Sequence, residues 1–135
     1  MRFLVMVMGT KEWEAAKPPK PEAFAAMQKY NEELVKAGIL LAAEGLAPTS
    51  QGARVKISGD KHTVIDGPFT ETKELVAGFS IIKVNSLEEA IELVKRAPNG
   101  SPNGEAVIEI RKLMDVEDFG EGFTPNAEIA KVKFK

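Results

Sequence analysis

One stretch concentrates the side chains that could do chemistry: Asp66-Gly67-Pro68-Phe69-Thr70-Glu71-Thr72-Lys73-Glu74. Gly67 precedes a proline, which biases it away from helix, and Pro68 fixes its own φ, so the chain must bend here. Asp66 can accept hydrogen bonds from backbone N–H groups beyond the bend, as an Asx turn does. That structural role stands beside a chemical one. Asp66, Glu71 and Lys73 lie close enough in sequence to tune one another's protonation, and in a cleft they are candidates for general acid–base catalysis. On an open surface the same charges form an ordinary solvated cluster.

Other residues are candidates to hold a ligand near this bend. Gly67, Pro68 and Phe69 form the bend itself, and Glu44 ends a strand beside Gly45. Trp13 sits in a proline-bearing connector, either as an anchor for that segment or as the wall of a pocket. Arg111 shares a strand face with Glu109 and suits an ion pair or a cavity lining. His62 and Asp66 invite reading as a dyad. In one extended strand, however, that spacing separates them by roughly 13 Å, at ~3.3 Å per residue.

Composition removes several alternatives. The chain has no cysteine and a single histidine, so it holds neither a disulfide nor a metal site built on several cysteines or histidines. The phosphate-cradling patterns Gly-x-x-x-x-Gly-Lys and Gly-x-Gly-x-x-Gly are absent, as is the Gly-x-Ser-x-Gly elbow. No metal and no cofactor is expected. A net charge of −2 gives no general attraction to nucleic acid or an acidic membrane surface. The apolar run at residues 2–8 is too short to cross a bilayer and lacks a cleavage pattern, so it reads as a buried strand and the expected location is cytoplasmic.

The elements that must position the bend follow in order. Residues 2–8 form a strand apolar on both faces, which needs cover on both sides. Pro18, Pro19 and Pro21 deny regular helix to the connector at residues 10–21. A helix starting at Pro21 runs to about Ala37 and stops at Gly38. Its apolar stripe includes Phe24, Met27, Leu34 and either Tyr30 or Asn31. Strands follow at residues 39–43, 53–58, 63–66 and 75–84. The middle pair is joined by Gly59-Asp60-Lys61, and the last contains Gly78, a mark of a bulge or a close backbone approach. Ser86 and Glu89 form a capping box for a second helix, and a final strand covers residues 106–113.

This order predicts an α+β fold: a ferredoxin-like sandwich with an antiparallel sheet, spanning residues 1–113. The doubly apolar first strand predicts a homodimer in which two sheets face each other as a dimeric α/β barrel. Residues 114–135 read as a tail packing on the domain or on the dimer partner.

Ile65-Asp66-Gly67-Pro68-Phe69-Thr70-Glu71-Thr72-Lys73-Glu74, with Gly78-Phe79, Glu44-Gly45-Leu46 and Glu109-Ile110-Arg111, resembles the DGPF-type members of the YCII-related superfamily. The resemblance covers nearly the whole chain and implies the same dimeric barrel. Other YCII-like proteins carry a proposed His/Asp pair, with its histidine on the first helix. Here that helix reads Ala25-Ala26-Met27-Gln28-Lys29, and the point expected to hold the aspartate reads Ala97-Pro98, so the pair does not transfer. Some DGPF-type proteins resemble components linked to sigma factors, which implies a regulatory partner.

Two functional expectations result. The first is a small polar ligand bound in a cleft near the bend, with cofactor-free acid–base catalysis by Asp66 and Glu71, Lys73 as charge partner, and Phe69 and Trp13 as apolar walls. The second is a non-catalytic regulatory or interaction protein that uses the tail as its contact surface.

Overall fold

A computed structural model describes residues 1–71, 74–101 and 104–119. Its main sheet has the strand order β2-β5-β1-β6, in which β1 is Arg2–Met8, β2 Leu40–Gly45, β5 Val76–Lys83 and β6 Ile108–Lys112. Every neighbouring pair is antiparallel. A separate two-stranded ribbon joins β3 (Ala53–Ser58) to β4 (Lys61–Asp66). Helix α2 (Pro21–Lys36) links β1 to β2, and α3 (Leu87–Lys95) links β5 to β6. Each link skips one intervening strand, which is consistent with the ferredoxin-like arrangement. The described residues form an α+β structure with antiparallel sheets and no closed barrel.

Local sequence accounts for these elements. Pro21 occupies the first turn of α2, where its missing N–H costs nothing. The helix ends in a Schellman motif. Gly38 takes a φ of 73°, its N–H donates to the Val35 carbonyl, and the Ile39 N–H donates to the Leu34 carbonyl. Ile39 and Leu34 also meet in the core. At α3, the Ser86 hydroxyl accepts from the Glu89 N–H, while the Glu89 carboxylate accepts from Asn85 rather than from Ser86 itself. The connector after β1 departs from expectation: Lys11–Glu14 forms one helical turn, α1, because Thr10 caps it by accepting from the Trp13 N–H. The prolines that oppose helix all follow it.

The core lies between one face of the sheet and both helices. Phe3, Val5, Ile82 and Val84 from the sheet side pack with Leu34 of α2 and with Ala90 and Leu93 of α3. Ile81 and Leu75 are buried outside this cluster. Cross-strand pairing puts Ile81 with Leu4 and Ala42, on the opposite face. The first strand is thus apolar on both faces of a sheet whose helices cover one. The proposed tail lies largely outside the described residues. Among those described, Val116–Phe119 forms a 3-10 turn, and the Asp118 carboxylate accepts from Lys112 Nζ at 2.8 Å. That bond, together with one from the Asp115 N–H, holds the exposed Asp118 carboxyl below its ordinary range. Among the described residues no helix is long and apolar enough to cross a membrane.

Candidate functional site

The bend at Asp66 is held by partners distant in sequence. The Gly67–Pro68 peptide is cis. The Gly67 N–H donates to the Gly52 carbonyl at 3.1 Å, and the Phe69 N–H donates to Thr49 Oγ1 at 3.0 Å. Thr49 is itself gripped by Glu14, whose two carboxylate oxygens accept from the Thr49 N–H at 2.7 Å and from its hydroxyl at 2.6 Å. Bonds to an ionised carboxylate are among the stronger ones a protein makes. Beside Glu14, the Trp13 indole N–H donates to the Leu46 carbonyl at 3.0 Å. The Arg54 guanidinium lies 3.8 Å from the centre of the Phe69 ring, a cation–π contact. Helix α1, the β2–β3 connection, the bend and the base of the ribbon therefore meet in one joint.

Gly67 is obligatory in this joint, because a Cβ built on it would fall onto the carbonyl group of Thr49. The Asp66 carboxylate accepts no hydrogen bond among the described residues, so Thr49 and Gly52, rather than an Asx turn, hold the backbone there. Asp66 and Glu71 are exposed, and Lys73 lies outside the described residues. Arg111 is exposed on β6 opposite Leu4, with Glu109 opposite Met6 on the same face. His62 is exposed on the ribbon and pairs with Ile57.

A cleft of about 320 Å³ opens elsewhere, between the helix-covered face of the sheet and the two helices. Met27, Tyr30, Asn31 and Leu34 of α2 line one side, with Leu93, Val94 and Ala97 on the α3 side. The floor includes Val5 and Val7 of β1, Ala43 and Gly45 of β2, and Gly78, Ser80 and Ile82 of β5. Register explains the floor: Val5 pairs with Ser80, which pairs with Ala43, and Val7 pairs with Gly78, which pairs with Gly45. Glu44 and Phe79 also border the cleft, but they pair with each other one step out of phase, and pleat alternation aims their side chains at the opposite face. Of the sequence-predicted ligand residues, Glu44 is the one at this cleft; Trp13, Gly67, Pro68, Phe69 and Arg111 do not line it.

The cleft's polar groups are Tyr30, Asn31 and Ser80. The Tyr30 hydroxyl donates to the Leu93 carbonyl at 2.8 Å, tying α2 to the end of α3. Burial pushes the Tyr30 phenol above its ordinary range, with nearby Arg96 acting in the opposite sense. Because the folded form resists ionisation, this contribution to stability is complete below the phenol's unfolded value, near ~10. It is lost as pH rises through the higher folded value. Tyr30 is the chain's single tyrosine, so tyrosinate absorbance should titrate later in the folded protein than after denaturation. Equal titration in both states would contradict this account. Among the described residues, neither Asn31 nor Ser80 makes a side-chain hydrogen bond, which leaves both free to meet a ligand. The hint in the sequence is the adjacent pair Tyr30-Asn31 on an otherwise apolar helix stripe, matched by Ser80 between Gly78 and Ile82.

Residues 1–117 match the family described as the YCII-related domain. An uncharacterised protein of Rhizobium meliloti (strain 1021) is 38% identical over 79 residues, 58% of this chain and 60% of the relative's length. Among solved structures, the 5-chloro-2-hydroxyhydroquinone dehydrochlorinase of Burkholderia phenoliruptrix AC1100, in complex with 2,5-dihydroxybenzoquinone, superposes with a TM-score of 0.40 at 16% identity. That superposition covers 81% of this chain and 91% of the other.

Proposed function

The chain belongs to the YCII-related domain family, and from that premise we propose that it binds a small molecule in the cleft between its sheet and helices α2 and α3. The observation that carries this reading is a mostly apolar cleft of about 320 Å³ with unengaged polar side chains at Asn31 and Ser80. Ligand sites combine such a volume with a few placed polar groups. The Tyr30 hydroxyl, whose proton goes to the Leu93 carbonyl, can accept a hydrogen bond, and Asn31 and Ser80 can donate and accept; none is a general base at neutral pH. The acid–base chemistry expected at Asp66 and Glu71 is not part of this reading, because those carboxylates stand outside the cleft. The bend they flank serves as the joint that holds the ribbon. Titrating phenol into isotope-labelled protein should shift the amides of Asn31, Gly45, Gly78 and Ser80. Shifts confined to residues 66–71 would overturn the assignment.

The same reading includes a homodimer closed as a dimeric α/β barrel. On one face of the ribbon Val55, Ile57 and Val64 are 60%, 67% and 64% exposed. A two-stranded ribbon with such a face is marginal alone in water. A second copy of the chain would cover that face and the outer face of the sheet, where Leu4, Met6 and Phe79 are half-buried. Sedimentation should show a dimer for the native chain and a folded monomer for Val55→Asp/Val64→Asp. A monomeric native chain at micromolar concentration would refute the assembly.

A further inference from the structure

We infer that the cleft takes an uncharged, flat molecule that lies across bare backbone at Gly45 and Gly78, with Asn31 and Ser80 hydrogen-bonding its polar edge. The inference rests on the ligand-binding reading above and narrows it to a chemical class.

The two glycines are direct cross-strand partners on the cleft floor. They have different reasons to be glycine. A Cβ on Gly78 would stand 3.2 Å from the Glu44 carbonyl oxygen, a tight contact with backbone, so packing between β2 and β5 accounts for it. Packing does not account for Gly45. A Cβ there meets no atom within 4 Å, and its φ lies outside the left-handed region. Gly45 closes β2, and a glycine there surrenders more backbone entropy than another residue would and packs nothing. At the edge of a cleft, that unoccupied space is where a ligand can approach the main chain. Two facing glycines present peptide planes rather than side chains, and a planar group makes the most contact with such a surface.

Charge is excluded by what the cleft lacks. Glu44 is the one ionised side chain among the lining residues, and strand alternation turns it to the other face. Arg96 acts on Tyr30 from outside the lining, so an ionic ligand would lose hydration without a counter-charge in direct contact, which is unfavourable. An amide or hydroxyl can instead be matched by the Asn31 amide, which both donates and accepts, and by the Ser80 hydroxyl.

The test titrates the isotope-labelled 135-residue chain with benzamide, benzoate, benzamidine and cyclohexanecarboxamide. Benzamide should shift the amides of Gly45, Gly78 and Ser80. Each charged analogue and the non-planar amide should bind at least about tenfold more weakly. Gly45→Val, which fills the space above the strand, should weaken benzamide by a similar factor, as should Ser80→Ala. Gly45→Ala is the milder variant if the valine disturbs the strand, and should give a smaller loss in the same direction. Benzoate or benzamidine binding the same amides as tightly as benzamide overturns the uncharged class, with the cleft reading intact. Equal binding of cyclohexanecarboxamide overturns the flat shape, and native affinity in both folded Gly45 variants overturns the role of the glycine. If none of the four compounds shifts cleft residues, while the phenol titration does, the pairing of Asn31 and Ser80 with an amide edge fails and the flat, uncharged class rests on phenol alone. If phenol fails as well, the ligand-binding reading falls with it.

Discussion

Replacing Gly67 by alanine is expected to release the β3–β4 ribbon from the body of the protein. The added methyl would fall onto the Thr49 carbonyl group, which is backbone and cannot rotate away as a flexible side chain would. Thr49 cannot retreat without cost, because its N–H and hydroxyl are both held by Glu14. Moving the bend instead breaks the bonds from Gly67 to Gly52 and from Phe69 to Thr49. Overpacking of this kind costs typically 1–3 kcal/mol, and the rigid neighbour puts Gly67→Ala near the top, at about 3 kcal/mol. The measurement is native-state hydrogen exchange. Amides of residues 53–66 should exchange about a hundredfold faster, given a factor of ten for each ~1.4 kcal/mol. Amides of β1 and β5 should change far less. Ribbon protection equal to that of the native chain would show that the joint does not hold the ribbon.

The expected consequence at Gly67 marks a boundary in what the sequence discloses. That the stretch bends is legible from Gly67-Pro68 alone. What it bends against is not, because Glu14 and Thr49 are 35 residues apart and Phe69 is 20 beyond Thr49. No local pattern encodes a hydrogen bond over such a span; it exists because the fold brings the connectors to one end of the sheet. The elements themselves are more legible. Pro21 and Gly38 bracket α2, Ser86 with Glu89 opens α3, and the alternation of Val107, Ile108, Glu109 and Ile110 marks β6, though the ladder begins at Ile108. Helix α1 escapes notice because a single turn has no periodicity and the prolines behind it dominate the segment's composition. The cleft is hidden for a different reason. Its floor requires the register of β1, β2 and β5, and its walls require the rotation of two helices about their axes. Gly78 hints at close approach, and the choice between Tyr30 and Asn31 on the inner stripe has the answer that both line the cleft.

The stability of that cleft rests on a side chain beside its floor. Phe3 is 2% exposed and pairs across strands with Ile82, which is equally buried and lines the cleft floor. Phe3 lies in the cluster that holds Leu34 and Leu93, the residues through which α2 and α3 seat on the sheet. Phe3→Ala removes the ring from a site where the β1–β5 and β1–β6 ladders restrain collapse. Close-packed interiors relax only partly around such a void. The expected loss in a urea titration is therefore about 3–5 kcal/mol, the range for truncating a buried aromatic. A second effect should accompany it. With the ring gone, Ile82 has open space beside it and can tilt out of place, which loosens the floor on which a ligand rests. Under conditions where the variant stays folded, phenol binding should weaken along with stability. Conservative Phe3→Leu should recover much of both, since it restores most of the apolar volume. If Phe3→Ala lowered stability but left binding at its native strength, the cleft would owe its shape to its lining alone and not to the core beside it.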